Sequence, residues 1–181
     1  DALRTYYGDE RSLLNQRRRA YRQTLLRFRE VFGGERQALV VRSPGRVNIM
    51  GRHIDWQGGH CNLMAVDQEV IMVVAPRADD RVEIRNVEPE LFPDASIALS
   101  QLVSQLNWDD WLRCVNSQEL QYRLRQAAGN WRIYIEAAML RLQMEFREQM
   151  LSGMDLVVNS NIPVAAGMSS SSALVVATRR N

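Results

Sequence analysis

Four consecutive serines, Ser169, Ser170, Ser171 and Ser172, follow Gly167 and Met168 and run into the apolar stretch Ala173-Leu174-Val175-Val176-Ala177. Serine hydroxyls accept hydrogen bonds from the free backbone amides of a helix start. The same amides, with the positive end of the helix dipole, attract anions. Pro163 fixes the beginning of this loop, and Gly167 permits a turn or a close backbone approach. Successive amides in such a turn form a concave anion site. One serine suffices to cap a helix, which leaves the others for phosphate oxygens or a Mg²⁺ ion. An ordinary serine-rich cap has the same local pattern.

Composition narrows how phosphate would be bound. The 23 basic residues are all arginine. Without lysine there is neither a Walker A loop nor the strand lysine of a protein kinase. No Gly-x-Gly occurs, so the dinucleotide fingerprint is absent too. Backbone amides, hydroxyls and arginines must do the binding. A net charge of +2 gives no support to a nucleic-acid partner. No apolar run approaches the roughly 20 residues of a membrane span. Cys61 and Cys114 are isolated and read as free thiols in a reducing cytoplasm. His53, His60 and Cys61 fit no common zinc spacing.

The elements that must position the serine loop are mixed in type. The chain of 181 residues suffices for one domain with a sizeable core. Leu14, Tyr21, Leu25, Phe28 and Phe32 recur at helical spacing over 13–32, and Gly33-Gly34 ends that helix. The triplet Arg17-Arg18-Arg19 on it reads as a solvated face. Residues 38–42 and 47–50 read as strand on either side of Pro44-Gly45. Residues 51–62 form a glycine-rich loop. Strands follow at 63–66 and 69–76, the second apolar enough to be central. The alternating segment 81–86 is expected to pair with it as a hairpin arm. Residues 87–94 read as a loop and 96–150 as mostly helical, with Trp131, Ile135, Ala138, Leu142 and Phe146 as a core stripe. Residues 154–158 read as a strand leading into the serine loop. Irregular mixing of strands and helices predicts an α+β fold.

Residues 161–178, NIPVAAGMSSSSALVVAT, resemble the nucleotide loop of the GHMP kinases, with Pro163, Gly167, Ser169, Ser170 and Ser171 on the family pattern. Met168 stands where leucine is usual, and Ala165 and Ala166 where glycines are common. A second stretch, 43–66, resembles the galactokinase signature. Pro44, Gly45, Arg46, Val47, Asn48, Gly51, His53, Asp55, Gly58 and Gly59 all match it. The segment GNWRIYIEAAM is similar to the Trp-x-x-Tyr helix of galactokinases. The resemblance implies the N-terminal, ribosomal-protein-S5-domain-2-like domain of a GHMP kinase over residues 1–181. It implies ATP and Mg²⁺ as cofactors and a small-molecule sugar as substrate, without nucleic acid or membrane, in the cytoplasm.

By that resemblance Arg46 is the catalytic cation beside the transferring phosphoryl group. Arg52, His53 and Asp55 hold the sugar. Ala165, Ala166, Gly167, Met168, Ser169, Ser170 and Ser171 wrap the ATP phosphates, with Ser171 also a ligand of Mg²⁺. The chemistry is apt: a sugar site needs groups that satisfy several hydroxyls at once. Asp55 accepts two, and His53 donates or accepts. Arg52 departs from the family, which has glutamate there. A donor-only guanidinium in place of an acceptor inverts the hydrogen-bond demand and favours an anionic sugar, unless the side chain turns outward. The family's catalytic aspartate, acidic Mg²⁺ ligand and C-terminal domain match nothing here. The chain is thus expected to be the N-terminal part of a longer enzyme, inactive by itself. A non-catalytic sugar and nucleotide sensor on the same fold is the alternative.

Overall fold

The computed structural model describes residues 2–51, 54–104, 110–127, 129–164 and 166–179. In chain order these form α1 (Ala2–Tyr7), α2 (Arg11–Phe32), β1 (Leu39–Met50), a 3₁₀ turn (Asp55–Gln57), β2 (Asn62–Pro76), β3 (Arg81–Asn86), β4 (Ala95–Ala98), α3 (Leu99–Ser104), α4 (Trp111–Val115), α5 (Gln118–Gln126), α6 (Ile133–Glu145), β5 (Met154–Ser160) and α7 (Ser170–Arg179). One five-stranded sheet, ordered β1-β2-β5-β3-β4, carries helices on both faces. Among the described residues no helix is long and apolar enough to cross a membrane, and Cys61 and Cys114 are free thiols.

β3 does not pair with β2, contrary to the hairpin expected from sequence. β5 inserts between them, antiparallel to β2 and parallel to β3. Leu156, Val157 and Val158 in succession are buried. A strand apolar on both faces is stable only where neighbours and helices cover it, which is the centre of the sheet. Gly153 makes the insertion possible. It lies against the Arg81 backbone where a Cβ has no room. Its amide donates to the Asp79 carbonyl (2.6 Å), and its carbonyl accepts from Arg77 N (3.0 Å). The strand β4 also replaces what read as the beginning of a helical region, pairing Ser96 with Glu83.

Alternation along the strands divides the core. Val70, Met72 and Val74 of β2, with Leu156 and Val158 of β5, pack against Ile135 and Met139 of α6 and Ala173, Leu174 and Ala177 of α7. On the other face Val73, Ala75 and Val157 pack against Phe28 of α2. Leu25 points to solvent, 45% exposed, despite its helical spacing. The buried face of α2 runs instead through Leu14, Arg17, Thr24 and Phe28.

Arg17 is therefore not part of a solvated arginine face. It is 2% exposed and sits 3.7 Å from the buried Glu69 carboxylate, donating also to the Asp67 carbonyl (2.6 Å). Arg42 Nε of β1 donates to the other Glu69 oxygen at 2.7 Å. The Tyr7 hydroxyl donates to Glu69 Oε1, and its ring lies 4.8 Å from the Arg42 guanidinium. Burial, then the Glu69 hydrogen bond, pushes the Tyr7 phenol well above its ordinary range. Burying charges costs hydration, so such a cluster adds little net stability. Removing one partner is nonetheless severe, because it strands the other.

Two further polar anchors lie on this face. Asn159 Nδ2 donates to Thr24 Oγ1 at 3.1 Å. The buried Asp155 pairs with Arg36 and, at 2.7 Å, with Arg77. Arg17→Ala should lower unfolding stability by about 3–5 kcal/mol, read as a shift in the urea midpoint. A loss below about 1 kcal/mol, the range of exposed pairs, would show that water still reaches Glu69.

Candidate functional site

β1 is an edge strand, which is why Pro44, lacking an amide proton, is tolerated inside it. The pairing with β2 shifts register between Pro44 and Arg46. The intervening Gly45 is buried, and the serine loop crosses it. A Cβ at Gly45 would stand 3.0 Å from the Met168 carbonyl oxygen, 3.1 Å from Val66 Cγ2 and 3.3 Å from the Gln68 carbonyl. The Arg46 amide donates to the same Met168 carbonyl at 3.1 Å. The two stretches singled out in the sequence thus meet backbone to backbone.

Beyond the crossing the loop coils tightly. Gly167 has φ 74° and Ser169 φ 59°; Ser169 is the one non-glycine residue with positive φ among the described residues. A left-handed serine costs on the order of 1–3 kcal/mol, so the surrounding contacts must impose it. The Ser169 carbonyl accepts from Ala173 N at 2.9 Å and begins α7. The first amides of that helix have no intrahelical acceptor. Ser169, Ser170 and Ser171 are half-buried at this end of the helix. The start of the loop is fixed from the sheet: Glu69 N donates to Asn161 Oδ1 at 2.8 Å, and Ile162 is buried in the core.

The helix start borders a cleft of about 680 Å³, bounded by Ser169, Ser170 and Ser171 on one side and by Asn86, Trp131 and Tyr134 on another. Trp131 Nε1 donates to the Pro93 carbonyl (3.3 Å), and its ring meets Phe92 edge-on at 6.1 Å. The volume suits a small molecule. Trp131 also packs on the core, as its place in the apolar stripe predicted, but that stripe did not reveal its second face. An aromatic pair three residues apart at a helix start was the available signal. Asn86, lone at the end of an alternating strand, offered none.

Asp55 is exposed on the 3₁₀ turn between β1 and β2. Gly58 N closes that turn onto the Asp55 carbonyl (3.1 Å), and Gly59 N onto Ile54 O (2.8 Å). Cys61 Sγ donates to the Gly51 carbonyl at 2.9 Å. From Arg46 to Met50, where the loop begins, the extended chain advances roughly 13 Å. The Arg46 side chain is exposed. Asn48 Oδ1, between Arg46 and the loop, is buried without a partner among the described residues. Arg52, His53 and Ala165 lie outside the described residues.

No group of three or more His, Cys, Asp or Glu side chains poised for a metal occurs among the described residues. Mg²⁺ keeps several waters and takes one or two protein oxygens alongside substrate phosphates. Ser171, whose hydroxyl is an oxygen of the kind Mg²⁺ takes, lines the cleft.

Residues 26–76 match the family model of the galactokinase galactose-binding signature, and residues 133–180 that of the GHMP kinases N terminal domain. Both stretches singled out in the sequence thus match models of the galactokinase-like GHMP kinases, the family this chain resembles. The galactokinase of Schizosaccharomyces pombe is 31% identical over 143 residues, 76% of this chain and 25% of that protein. The structure of Lactococcus lactis galactokinase complexed with galactose superposes with a TM-score of 0.62 at 22% identity, covering 84% of this chain and 34% of that one. Methanococcus jannaschii mevalonate kinase gives 0.52 at 14% identity, over 81% of this chain and 39% of that one. The chain spans about a quarter to two fifths of the length of these relatives. At such identities the two solved structures bear on the fold, and they agree with the α+β class expected from sequence.

Gly45→Ala tests the crossing. The added methyl should displace the serine loop while leaving the sheet intact. Nucleotide-dependent thermal stabilisation should be lost, with about 1–3 kcal/mol of overpacking cost. A variant stabilised by ATP as fully as the wild type would mean that the loop does not need to lie on Gly45.

Proposed function

We propose that this chain supplies the ATP- and sugar-binding part of a kinase that transfers the ATP γ-phosphoryl group to a sugar hydroxyl, the anomeric one by family resemblance. The observation that carries the proposal is the contact between the Arg46 amide and the Met168 carbonyl. It sets the strand that leads to the proposed sugar loop against the loop whose amides suit phosphate. Arg52 and His53 join Asp55 at the sugar on sequence grounds.

In this reading the amides around Gly167 and the start of α7 bind the phosphates and fix their orientation. Trp131 and Tyr134 bound the cleft in which the rest of the nucleotide lies. Mg²⁺, when bound, neutralises phosphate charge, and Ser171 offers it one oxygen. Arg46, exposed where the loop crosses β1, provides a fixed positive charge for the transferring group. Asp55 accepts from two sugar hydroxyls and orients the ring. Binding thus does most of the work of this chain: it holds acceptor and phosphoryl donor in one geometry.

Two substitutions separate the half-sites. Ser171→Ala should weaken MgATP binding and leave sugar affinity unchanged. Asp55→Asn should weaken sugar binding on the order of tenfold to a hundredfold, the worth of a charge-assisted hydrogen bond, and leave MgATP unchanged. Calorimetry with MgATP and with a panel of galactose-like neutral and anionic sugars, paired with an assay of ADP release, reads both. Loss of both ligands in either variant, or of neither, would contradict the division. Binding of both ligands by the intact protein without ADP release would make it a sensor.

A further inference from the structure

The charge of α2 is one-sided. The helix holds seven of the chain's 23 arginines and, in Glu30, one of its 21 acids. A solvated helix is ordinarily supported by acids placed three or four residues from its bases. Here Arg22 follows Arg18 by four residues and Arg19 by three, like-charge spacings that cost helix stability. Glu30 is already engaged by Arg27, at 3.2 Å, and Arg27 also lies 3.7 Å from Asp94. Arg19 and Arg22 are exposed and form no ion pair among the described residues.

Beside these two arginines the surface is concave. A groove of about 390 Å³ is walled on one side by Arg19, Arg22, Gln23 and Leu26, which share one face of α2 at helical spacing, and on the other by Val87. Val87 packs on the cluster of Phe28, Val73, Ala75 and Val157, and its amide donates to the Val158 carbonyl at 3.1 Å, so that wall is fixed by the sheet. Leu26 is 53% exposed. The groove thus has a cationic end at Arg19 and Arg22 and an aliphatic stretch between Leu26 and Val87. It lies with α2 on the face of the sheet opposite α6 and α7, separate from the cleft at the serine loop.

We propose that this groove docks a short acidic segment of another protein, with carboxylates on Arg19 and Arg22 and an aliphatic side chain between Leu26 and Val87. A guanidinium fork takes a carboxylate through two parallel hydrogen bonds, and clustered arginines recognise short acidic motifs in this way. The aliphatic stretch decides among anionic partners. A nucleic-acid strand carries phosphate along its whole length, offers nothing to Leu26 and Val87, and is repelled by Glu30 at the far end. A planar bilayer meets the crest of a helix, whereas Leu26 lines a groove with a second wall. An acidic peptide with an apolar anchor matches both halves in order. From Arg19 to Glu30 the helix advances roughly 16 Å, the span of three helical turns.

Fluorescence anisotropy on the full chain, with a labelled peptide of three Glu-Glu-Leu-Leu repeats, tests the assignment. The wild type should bind this peptide, less tightly as salt rises. Peptides with Gln in place of Glu, or Ser in place of Leu, should each bind about tenfold more weakly. The double variant Arg19→Glu, Arg22→Glu should lose about tenfold or more for the acidic peptide and gain affinity for one with Lys in place of Glu, an exchange that unfolding does not produce. Leu26→Ser should weaken the Glu-Leu peptide and leave the Ser-substituted one unchanged. A wild type that does not bind the acidic peptide, or a double variant that binds it as tightly as the wild type, would overturn the proposal. So would tighter binding of oligothymidylate or of phosphatidylserine vesicles through the same two arginines.

Discussion

The Met168 carbonyl rests on the β1 backbone at a residue with no side chain, and the geometry of the candidate site depends on that contact. Gly45 leaves 3.0 Å between its missing Cβ and the Met168 oxygen. The register shift that buries it frees the Arg46 amide for the same oxygen. An edge strand is where both irregularities are tolerable, since Pro44 and an unpaired glycine in a central strand would break the ladder. The loop is held from its far side by α7, whose Ala173, Leu174 and Ala177 are buried against the sheet. Ser169 keeps its left-handed backbone because both flanks of the loop are fixed.

Behind this contact stands a polar layer on the opposite face of the sheet. Glu69 connects α1, α2 and β1 through Tyr7, Arg17 and Arg42, and its backbone holds Asn161 at the start of the serine loop. Apolar packing alone would let α2 slide along the sheet at modest cost. Arg17 on Glu69, Thr24 on Asn159 and Phe28 among Val73, Ala75 and Val157 fix one register. The cluster therefore bears on the site through position, not through contact with a ligand.

Much of the site was legible because its chemistry is local. A glycine, a run of serines and an apolar helix are adjacent in sequence, as are Pro44, Gly45 and Arg46. The α+β class followed from periodicity in the same way. What escaped depends on contacts distant along the chain. The hairpin rule paired β3 with β2, because nothing local says that a strand formed some seventy residues later takes the place between them. Gly153 was the available hint, and a glycine's need for space shows only against its neighbour. Arg17 read as solvated because two other arginines follow it, yet burial depends on Glu69, 52 positions away.

The central claim is that the serine loop and the β1 bulge form one ligand-responsive unit. Amide chemical-shift mapping of the chain in two dimensions, titrated with MgATP, tests it directly. The account predicts the largest perturbations at Gly167, Met168, Ser169, Ser170 and Ser171, together with Arg46, whose amide reports on the Met168 carbonyl. It predicts small shifts on the exposed face of α2. Perturbations that leave Arg46 and the serine loop unmoved while mapping elsewhere on the sheet or helices would contradict it.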